Sequence, residues 1–125
     1  MDRFADKRGY LWVMFYSHTK MITKKGSAIK RQFKGVDFDV LAIGQKSMLT
    51  KMNFEVGNIV PFHSHPNEQS GYVISGKYLL KLPENNHILT PGDSYSIPEN
   101  TDHALEVIEK GNIIDFFTPP RQDYL

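Results

Sequence analysis

The sequence contains no cysteine among its 125 residues. Disulfide cross-links are therefore excluded, and so is a zinc site built from thiolates. The formal net charge is only +1, which gives no reason to expect a nucleic-acid or membrane-surface partner. Because a chain without cysteine suits a reducing compartment, we expect a cytoplasmic protein.

Long hydrophobic runs are also missing. The longest, residues 10–16, is far below the roughly 20 residues that span a bilayer. It is apolar and aromatic without a clear period, and two interpretations of it stay open. It is either an upstream extension foreign to the natural protein or a strand that covers a sheet edge, on this chain or on a partner subunit. We therefore divide the chain into an N-terminal extension, residues 1–30, with an edge or swapped strand as one interpretation, and a single domain, residues 31–125.

Strong helix signals are absent, whereas short strand patterns recur. Residues 36–43 are rich in β-branched and aromatic side chains. Residues 48–55 alternate, which places four side chains on one face, namely Met48, Thr50, Met52 and Phe54. Further short apolar segments follow at residues 71–82, 94–97, 104–108 and 113–117. This succession predicts an all-β sandwich or barrel.

What the sequence does contain is a set of histidines at the spacing of a metal site. His63 and His65 are two residues apart, so in an extended strand they share a face and aim at one point. Gln69 and His103 can complete the set from neighbouring strands. Since neutral imidazole is the commonest protein ligand for transition metals, we expect one divalent ion, and nickel, zinc, iron and manganese all suit the site.

The residues around these histidines resemble the two motifs of the cupin superfamily. Four residues of the first motif match, namely Gly57, His63, His65 and Gly76. Three residues of the second motif match, namely Gly92, Pro98 and His103. Two residues of the second motif differ: Asn100 replaces a glycine and Val107 replaces an asparagine. Asparagine adopts positive φ more readily than most residues, so Asn100 can keep the turn that the glycine usually makes. The resemblance implies a single-domain cupin barrel, an all-β jelly roll or double-stranded β-helix.

Gln69 stands where the first motif usually has a glutamate. A glutamine carbonyl brings no charge, so the positive charge of the metal would be less neutralised and the ion would be a stronger Lewis acid. Glu68 lies one residue off the motif register and would face the other side of a strand. We therefore expect His63, His65, Gln69 and His103 to hold the metal.

A C-terminal run adds Asp115, Phe117 and Arg121 in the pattern Asp-x-Phe-x-Pro-Pro-Arg. Together with His-Ser-His-Pro-x-Glu-Gln, it resembles the small bacterial cupins of pectin and alginate breakdown, over roughly residues 57–125. Such cupins convert 4,5-unsaturated uronates to linear keto sugars. The resemblance implies that Arg121 clamps a carboxylate, that Asp115 moves a proton during ring opening and ketonisation, and that Phe117 shapes the pocket.

Two other functions stay open from the sequence. A metal-dependent dioxygenase, of the quercetinase type, would need a redox-active metal and oxygen uptake. A non-enzymatic module that binds a sugar or another small ligand is the second.

The expected partners are a small anionic substrate and a second copy of the chain. Cupins usually pair as dimers. The predicted dimer interface consists of the N-terminal apolar run and two outward-facing side chains, Tyr72 and Ile74. We expect Tyr78 to face outward as well. His18 and His87 lie outside the motifs and are predicted to be surface histidines.

Overall fold

The computed structural model describes residues 20–125. The apolar run at residues 10–16 and the predicted surface residue His18 therefore lie outside the described residues. Ten strands follow one another, namely β1 (Ile29–Phe33), β2 (Val36–Ile43), β3 (Met48–Phe54), β4 (Ile59–His63), β5 (Glu68–Val73), β6 (Lys77–Lys81), β7 (Asn86–Leu89), β8 (Ser94–Ile97), β9 (His103–Glu109) and β10 (Gly111–Thr118). Two short 3₁₀ turns, Lys25–Ser27 and Gln122–Tyr124, flank them. Within the described range, no helix has the length and hydropathy needed to cross a bilayer.

The strands form two antiparallel sheets. The larger has the order β1-β2-β3-β10-β5-β8, and the smaller has the order β4-β9-β6-β7. The core lies between their inner faces, because alternate residues of each strand point inward. In β3 these are the four predicted residues, all of which are buried. The all-β jelly roll expected from the sequence is therefore confirmed.

The expectation that Tyr78 faces outward is wrong. Its side chain is completely buried, and its hydroxyl donates a hydrogen bond of 2.7 Å to the carbonyl oxygen of Ser75. Residues 71–82 are not one strand but belong to β5 and β6, which lie in different sheets. The turn between them passes through Gly76 at φ 94°, a left-handed conformation that suits glycine, and it resets which residues face inward.

Two strands, β1 and β7, had no signal in the sequence, and for β4 only the spacing of the histidines at its end indicated a strand. β1 and β7 lie at sheet edges, and most of their side chains are exposed, so neither shows a hydrophobic alternation. β1 begins at Ile29, two residues before the domain boundary expected at residue 31. β4 matters most for function because its last residue is His63.

Candidate metal centre

Two strands and one loop bring the three motif histidines together. His63 ends β4 and His103 begins β9, and the two residues pair directly across the smaller sheet. Their ring centroids are 4.3 Å apart. The expectation that His63 and His65 share a face of one strand is wrong, because β4 ends at His63 and His65 lies in the loop that follows. The carbonyl oxygen of His65 accepts a 2.8 Å hydrogen bond from the backbone N–H of Asn100. Asn100 has φ 57°, so it adopts the left-handed turn for which a glycine is usual.

The three imidazoles converge on one point. Each offers a nitrogen, and the three nitrogens lie within 4.8 Å of one another. The Nε2 atom of His103 is buried without a hydrogen-bond partner, the one such side-chain atom in residues 20–125. A buried polar atom without a partner is costly unless something else satisfies it. A cation held by the three nitrogens would do so, and the residues therefore fit the metal that the motif implies.

Backbone carbonyls fix the tautomer of every ring. The Nδ1–H of each histidine donates to a carbonyl two residues away, and the acceptors for His63, His65 and His103 are Pro61, Asn67 and Thr101, at 2.9, 3.0 and 2.8 Å. A carbonyl oxygen only accepts, so the proton sits on Nδ1 and each Nε2 keeps its lone pair. This arrangement is typical of histidines that ligate metals, because the second nitrogen is anchored.

Burial keeps these rings neutral. Desolvation is the main cause that lowers the pKa of His63 and of His65 below the ordinary 6.5. The same effect lowers the pKa of His103 to about 4. A neutral imidazole is the form that binds a metal, so all three rings are ready to act as ligands at neutral pH.

Gln69 faces the same point from the larger sheet. It is buried on β5, whereas Glu68 is exposed, as the register argument predicted. Its Oε1 atom lies 3.0 Å from Nε2 of His65. The side-chain amide of Gln69 also lowers the pKa of the Asp115 carboxyl, and Oε1 is the amide atom that lies toward His65. Two acceptors facing each other at this distance favour a cation near both. The role of Gln69 as a ligand stays a prediction.

Asp115 and Phe117 lie on the inner face of β10, and both are buried. The Phe117 ring contacts that of His65 edge to face, with 5.7 Å between the centroids. Burial raises the pKa of Asp115 from 3.8 to about 6, although hydrogen bonds from Tyr95 and Gln69 lower it in part. A carboxyl with this pKa can both give and take a proton near neutral pH.

Arg121 is buried rather than solvated, with 5% of its surface exposed. Its Nε and Nη2 atoms donate to the two carboxylate oxygens of Asp123 at 3.1 and 2.6 Å. Its Nη1 atom donates to the hydroxyl of Tyr124 at 2.9 Å, and the guanidinium also lies 4.1 Å from the centre of that ring. One side of the predicted carboxylate clamp is therefore already occupied by a carboxylate of the same chain.

Two tyrosines at the site were missed by the sequence reasoning. Tyr95 on β8 donates a 2.5 Å hydrogen bond to Oδ1 of Asp115. Its alternation with the buried Ile97 is the signal that could have placed it on the inner face. Tyr124 is buried in the hydrophobic core and packs its ring against Phe117, Phe38 and Phe33. It lies in an irregular C-terminal segment, where no periodic pattern marks it.

The site borders two spaces of different size. An inner cavity of about 40 Å³ is lined by six of the seven predicted site residues, namely His63, Gln69, His103, Asp115, Phe117 and Arg121. This volume holds little more than a water molecule. An outer cleft of about 910 Å³ borders the seventh predicted residue, His65, and runs beside the C-terminal segment. Arg121 lines both spaces.

The profile of the cupin domain matches residues 50–114, the region that carries the histidines and both motifs. The chain belongs to the cupin family. The family match agrees with the two antiparallel sheets and confirms the resemblance inferred from Gly57, His63, His65 and His103. Among curated protein sequences, none matches this cupin.

Solved cupin structures superpose on this cupin over most of its length. An RmlC-like cupin from Shewanella frigidimarina is 25% identical, with a TM-score of 0.78, over 86% of this chain and 97% of that chain. KdgF from Halomonas sp. is 26% identical, with a TM-score of 0.76, over 83% of this chain and 99% of that chain. The polyketide cyclase RemF from Streptomyces resistomycificus is 18% identical, with a TM-score of 0.68, over 83% of this chain and 82% of that chain, and shares the fold alone.

Proposed function

We propose that this cupin is an isomerase-like enzyme that converts 4,5-unsaturated uronates to linear keto sugars. One observation carries the proposal: Asp115, Phe117 and Arg121 line the same cavity as His63 and His103, two of the three clustered histidines. The three residues come from the C-terminal run that resembles the cupins of pectin and alginate breakdown. The structural similarity to KdgF supports the same assignment.

His63, His65 and His103 would hold the metal, with Gln69 as a fourth ligand. A divalent ion with open positions polarises the oxygen atoms of a bound substrate. The protein holds the rings in their ligating tautomer through the three backbone carbonyls, so little reorganisation is needed on binding.

Arg121 binds the carboxylate of the uronate. Its planar fork pairs with a carboxylate through two parallel hydrogen bonds, which orients the sugar as well as holding it. Aromatic rings hold the guanidinium plane, since Arg121 lies 5.3 Å from the centre of Phe117 and 4.9 Å from that of Phe33. When no substrate is bound, the carboxylate of Asp123 pairs with Arg121, so the buried guanidinium is not left without a partner.

Asp115 moves the proton that ring opening and ketonisation require. Its carboxyl is buried at the cavity wall and is held by the Tyr95 hydroxyl. The ring of Phe117 packs against that of His65 and forms part of an apolar wall that keeps water away from this side of the site.

A sugar approaches from the outer cleft. The inner cavity, at about 40 Å³, is far below the roughly 300 Å³ at which small-molecule pockets begin. The cleft is of pocket size, and Arg121 stands where the cleft meets the cavity. A substrate in the cleft meets His65 first, because His65 borders the cleft.

The test follows the absorbance of the substrate. The conjugated double bond of a 4,5-unsaturated galacturonate absorbs ultraviolet light, and ketonisation removes it. We expect the metal-replete protein to accelerate this loss and a chelator to abolish the acceleration. Arg121→Lys keeps the charge but loses the fork, so KM should rise with metal content unchanged. Lys110→Arg makes the reverse exchange at an exposed turn residue and should have no effect.

Each arm of this test can fail separately. A metal-replete wild type that does no better than buffer would remove the reaction assignment and leave the cupin fold standing. Oxygen uptake or simple ligand binding would then be the functions to examine. Full activity in the presence of chelator would remove the metal from the mechanism, and an unchanged KM in Arg121→Lys would remove the clamp.

The working unit that we propose is a homodimer. The outer face of the larger sheet carries two exposed apolar side chains, Tyr72 at 52% and Phe116 at 42% exposure, and Ile74, directly after β5, is 47% exposed. Covering such side chains in a sheet-to-sheet contact would stabilise a pair of chains. Light scattering should give twice the chain mass, and Tyr72→Lys should shift the protein toward a monomer. A monomeric wild type would contradict this arrangement.

A further inference from the structure

Three neighbouring strands of the larger sheet carry aligned residues at the wall of the metal site. Gly71 on β5 pairs with Asp115 on β10 on one side and with Tyr95 on β8 on the other. All three positions belong to the inward-facing set of their strands. Tyr95 and Asp115 therefore sit two strands apart, with a glycine between them.

The glycine makes room for a contact across that gap. A Cβ atom built at Gly71 would overlap the ring and the hydroxyl oxygen of Tyr95. The Tyr95 side chain thus lies over the backbone of β5 at the one place where no side chain rises from it. Its hydroxyl reaches Oδ1 of Asp115 at 2.5 Å. A larger residue at position 71 would force the phenol away from the carboxylate.

The contact continues to the metal site. Gln69 and Asp115 both face inward on the adjacent strands β5 and β10, where the Gln69 amide lowers the pKa of the Asp115 carboxyl. Oε1 of that amide lies 3.0 Å from Nε2 of His65. Four groups therefore follow one another toward the metal site: the hydroxyl of Tyr95, the carboxylate of Asp115, the amide of Gln69 and the imidazole of His65. Each member fixes the orientation of the next, because the hydroxyl donates to the carboxylate and the amide must donate to it too. Outer partners of this kind tune the affinity of a site for its metal.

We propose that Tyr95 is a positioning residue of the metal site, which acts through Asp115 on Gln69 and depends on Gly71 for its path. The hydroxyl holds the carboxylate, and the carboxylate holds the amide with its oxygen toward the metal-binding nitrogens. Without the hydroxyl, the carboxylate can rotate and the amide can turn its nitrogen toward His65. The site would then offer a donor where a ligand atom is needed.

The deciding experiment measures Zn²⁺ affinity of the full-length protein by competition with a chromophoric chelator. Tyr95→Phe keeps the ring and removes only the hydroxyl, and we expect about 10-fold weaker binding. In an Asp115→Asn background the same change should have little further effect, because Tyr95 acts through that carboxylate. Tyr78→Phe is the matched control, since it removes a buried hydroxyl that bonds only the Ser75 carbonyl, and it should bind Zn²⁺ as the wild type does. Gly71→Ala should reproduce the Tyr95→Phe affinity if it folds.

Kinetics add a second readout that rests on the proposed function. With a 4,5-unsaturated uronate, Tyr95→Phe should lower kcat with KM nearly unchanged, because Arg121 still binds the carboxylate of the sugar. If the wild type has no uronate activity, the proposed function fails but the Zn²⁺ measurement still decides the role of Tyr95. Wild-type Zn²⁺ affinity in Tyr95→Phe overturns the inference. An equal loss of Zn²⁺ affinity in Tyr78→Phe overturns it too. So does a loss caused by Tyr95→Phe that is just as large in the Asp115→Asn background, because Tyr95 would then not act through Asp115.

Discussion

Replacing Asp115 by Asn should change how the stability of the metal-free protein depends on pH. Burial raises the pKa of this carboxyl from 3.8 in an unfolded chain to about 6 in the folded protein. The folded state therefore holds the proton more tightly, and ionisation favours the unfolded chain. The destabilisation is absent below pH 3.8, grows as the pH rises toward 6, and is complete above that value. The asparagine of the variant does not ionise, so the variant is free of this destabilisation.

The magnitude follows from the rise in pKa. Each pH unit between the two values corresponds to about 1.4 kcal/mol, so the full effect is about 3 kcal/mol. About 2 kcal/mol of it should fall between pH 4.5 and 7.5, where the comparison is practical. The amide oxygen of the variant can still accept the hydrogen bond from Tyr95, so the substitution changes the charge and keeps the shape.

Urea unfolding of both proteins at several pH values measures the difference in the free energy of unfolding. The three histidines titrate in both proteins, so their contribution largely cancels. The free energy of unfolding of Asp115→Asn should rise relative to that of the wild type as the pH increases. Glu84→Gln removes an exposed carboxyl from a turn and controls for the loss of one negative charge. A difference that is independent of pH would refute the view that Asp115 is a buried carboxyl.

Three further predictions concern the metal and the C-terminal segment. Adding Zn²⁺ at 100 times its Kd should raise the free energy of unfolding by about 2.7 kcal/mol, and a chelator should reverse the gain; no thermal shift would contradict a metal site. Tyr124→Ala should destabilise the protein by about 3 kcal/mol in urea, because a buried aromatic ring is lost. The same variant should release bound Zn²⁺ to a chelator faster, because Tyr124 lines the inner cavity together with His63 and His103; an unchanged rate would show that the ring does not limit access to the site. Asp123→Asn should cost about 1 kcal/mol in the free energy of unfolding, since the exposed half of the pair limits its strength, and an unchanged urea midpoint would contradict the pairing with Arg121.

The histidine site could be predicted because its residues are coded locally. His63 and His65 are only two residues apart, so the chain itself keeps them close although His65 lies in the loop after β4. The glycines at positive φ mark the turns that end the strands around them. Asn100 also has a positive φ, as its position in the second motif predicts. His103 was joined to the pair through the order of the two motifs, because spacing along the chain cannot show a contact between β4 and β9.

The contacts that connect distant strands could not be predicted. Tyr95 reaches Asp115 only because Gly71 happens to lie between them in the register of three strands. Arg121 was identified as an anion-binding residue, but its present partner is Asp123, two residues away, and residue types alone did not reveal that pair. Tyr78 was placed on the wrong face because one apolar stretch hides two strands that belong to different sheets.

The central claim is that His63, His65 and His103 hold one divalent metal ion. Elemental analysis of the purified protein, followed by titration with Zn²⁺, tests it most directly. We predict one ion per chain in the wild type and in His87→Ala, which changes an exposed histidine away from the cluster. His103→Ala should lose the ion, because it removes the nitrogen that is buried without another partner. Metal content that is unaffected by His103→Ala, or a wild type that binds no ion, would contradict the account.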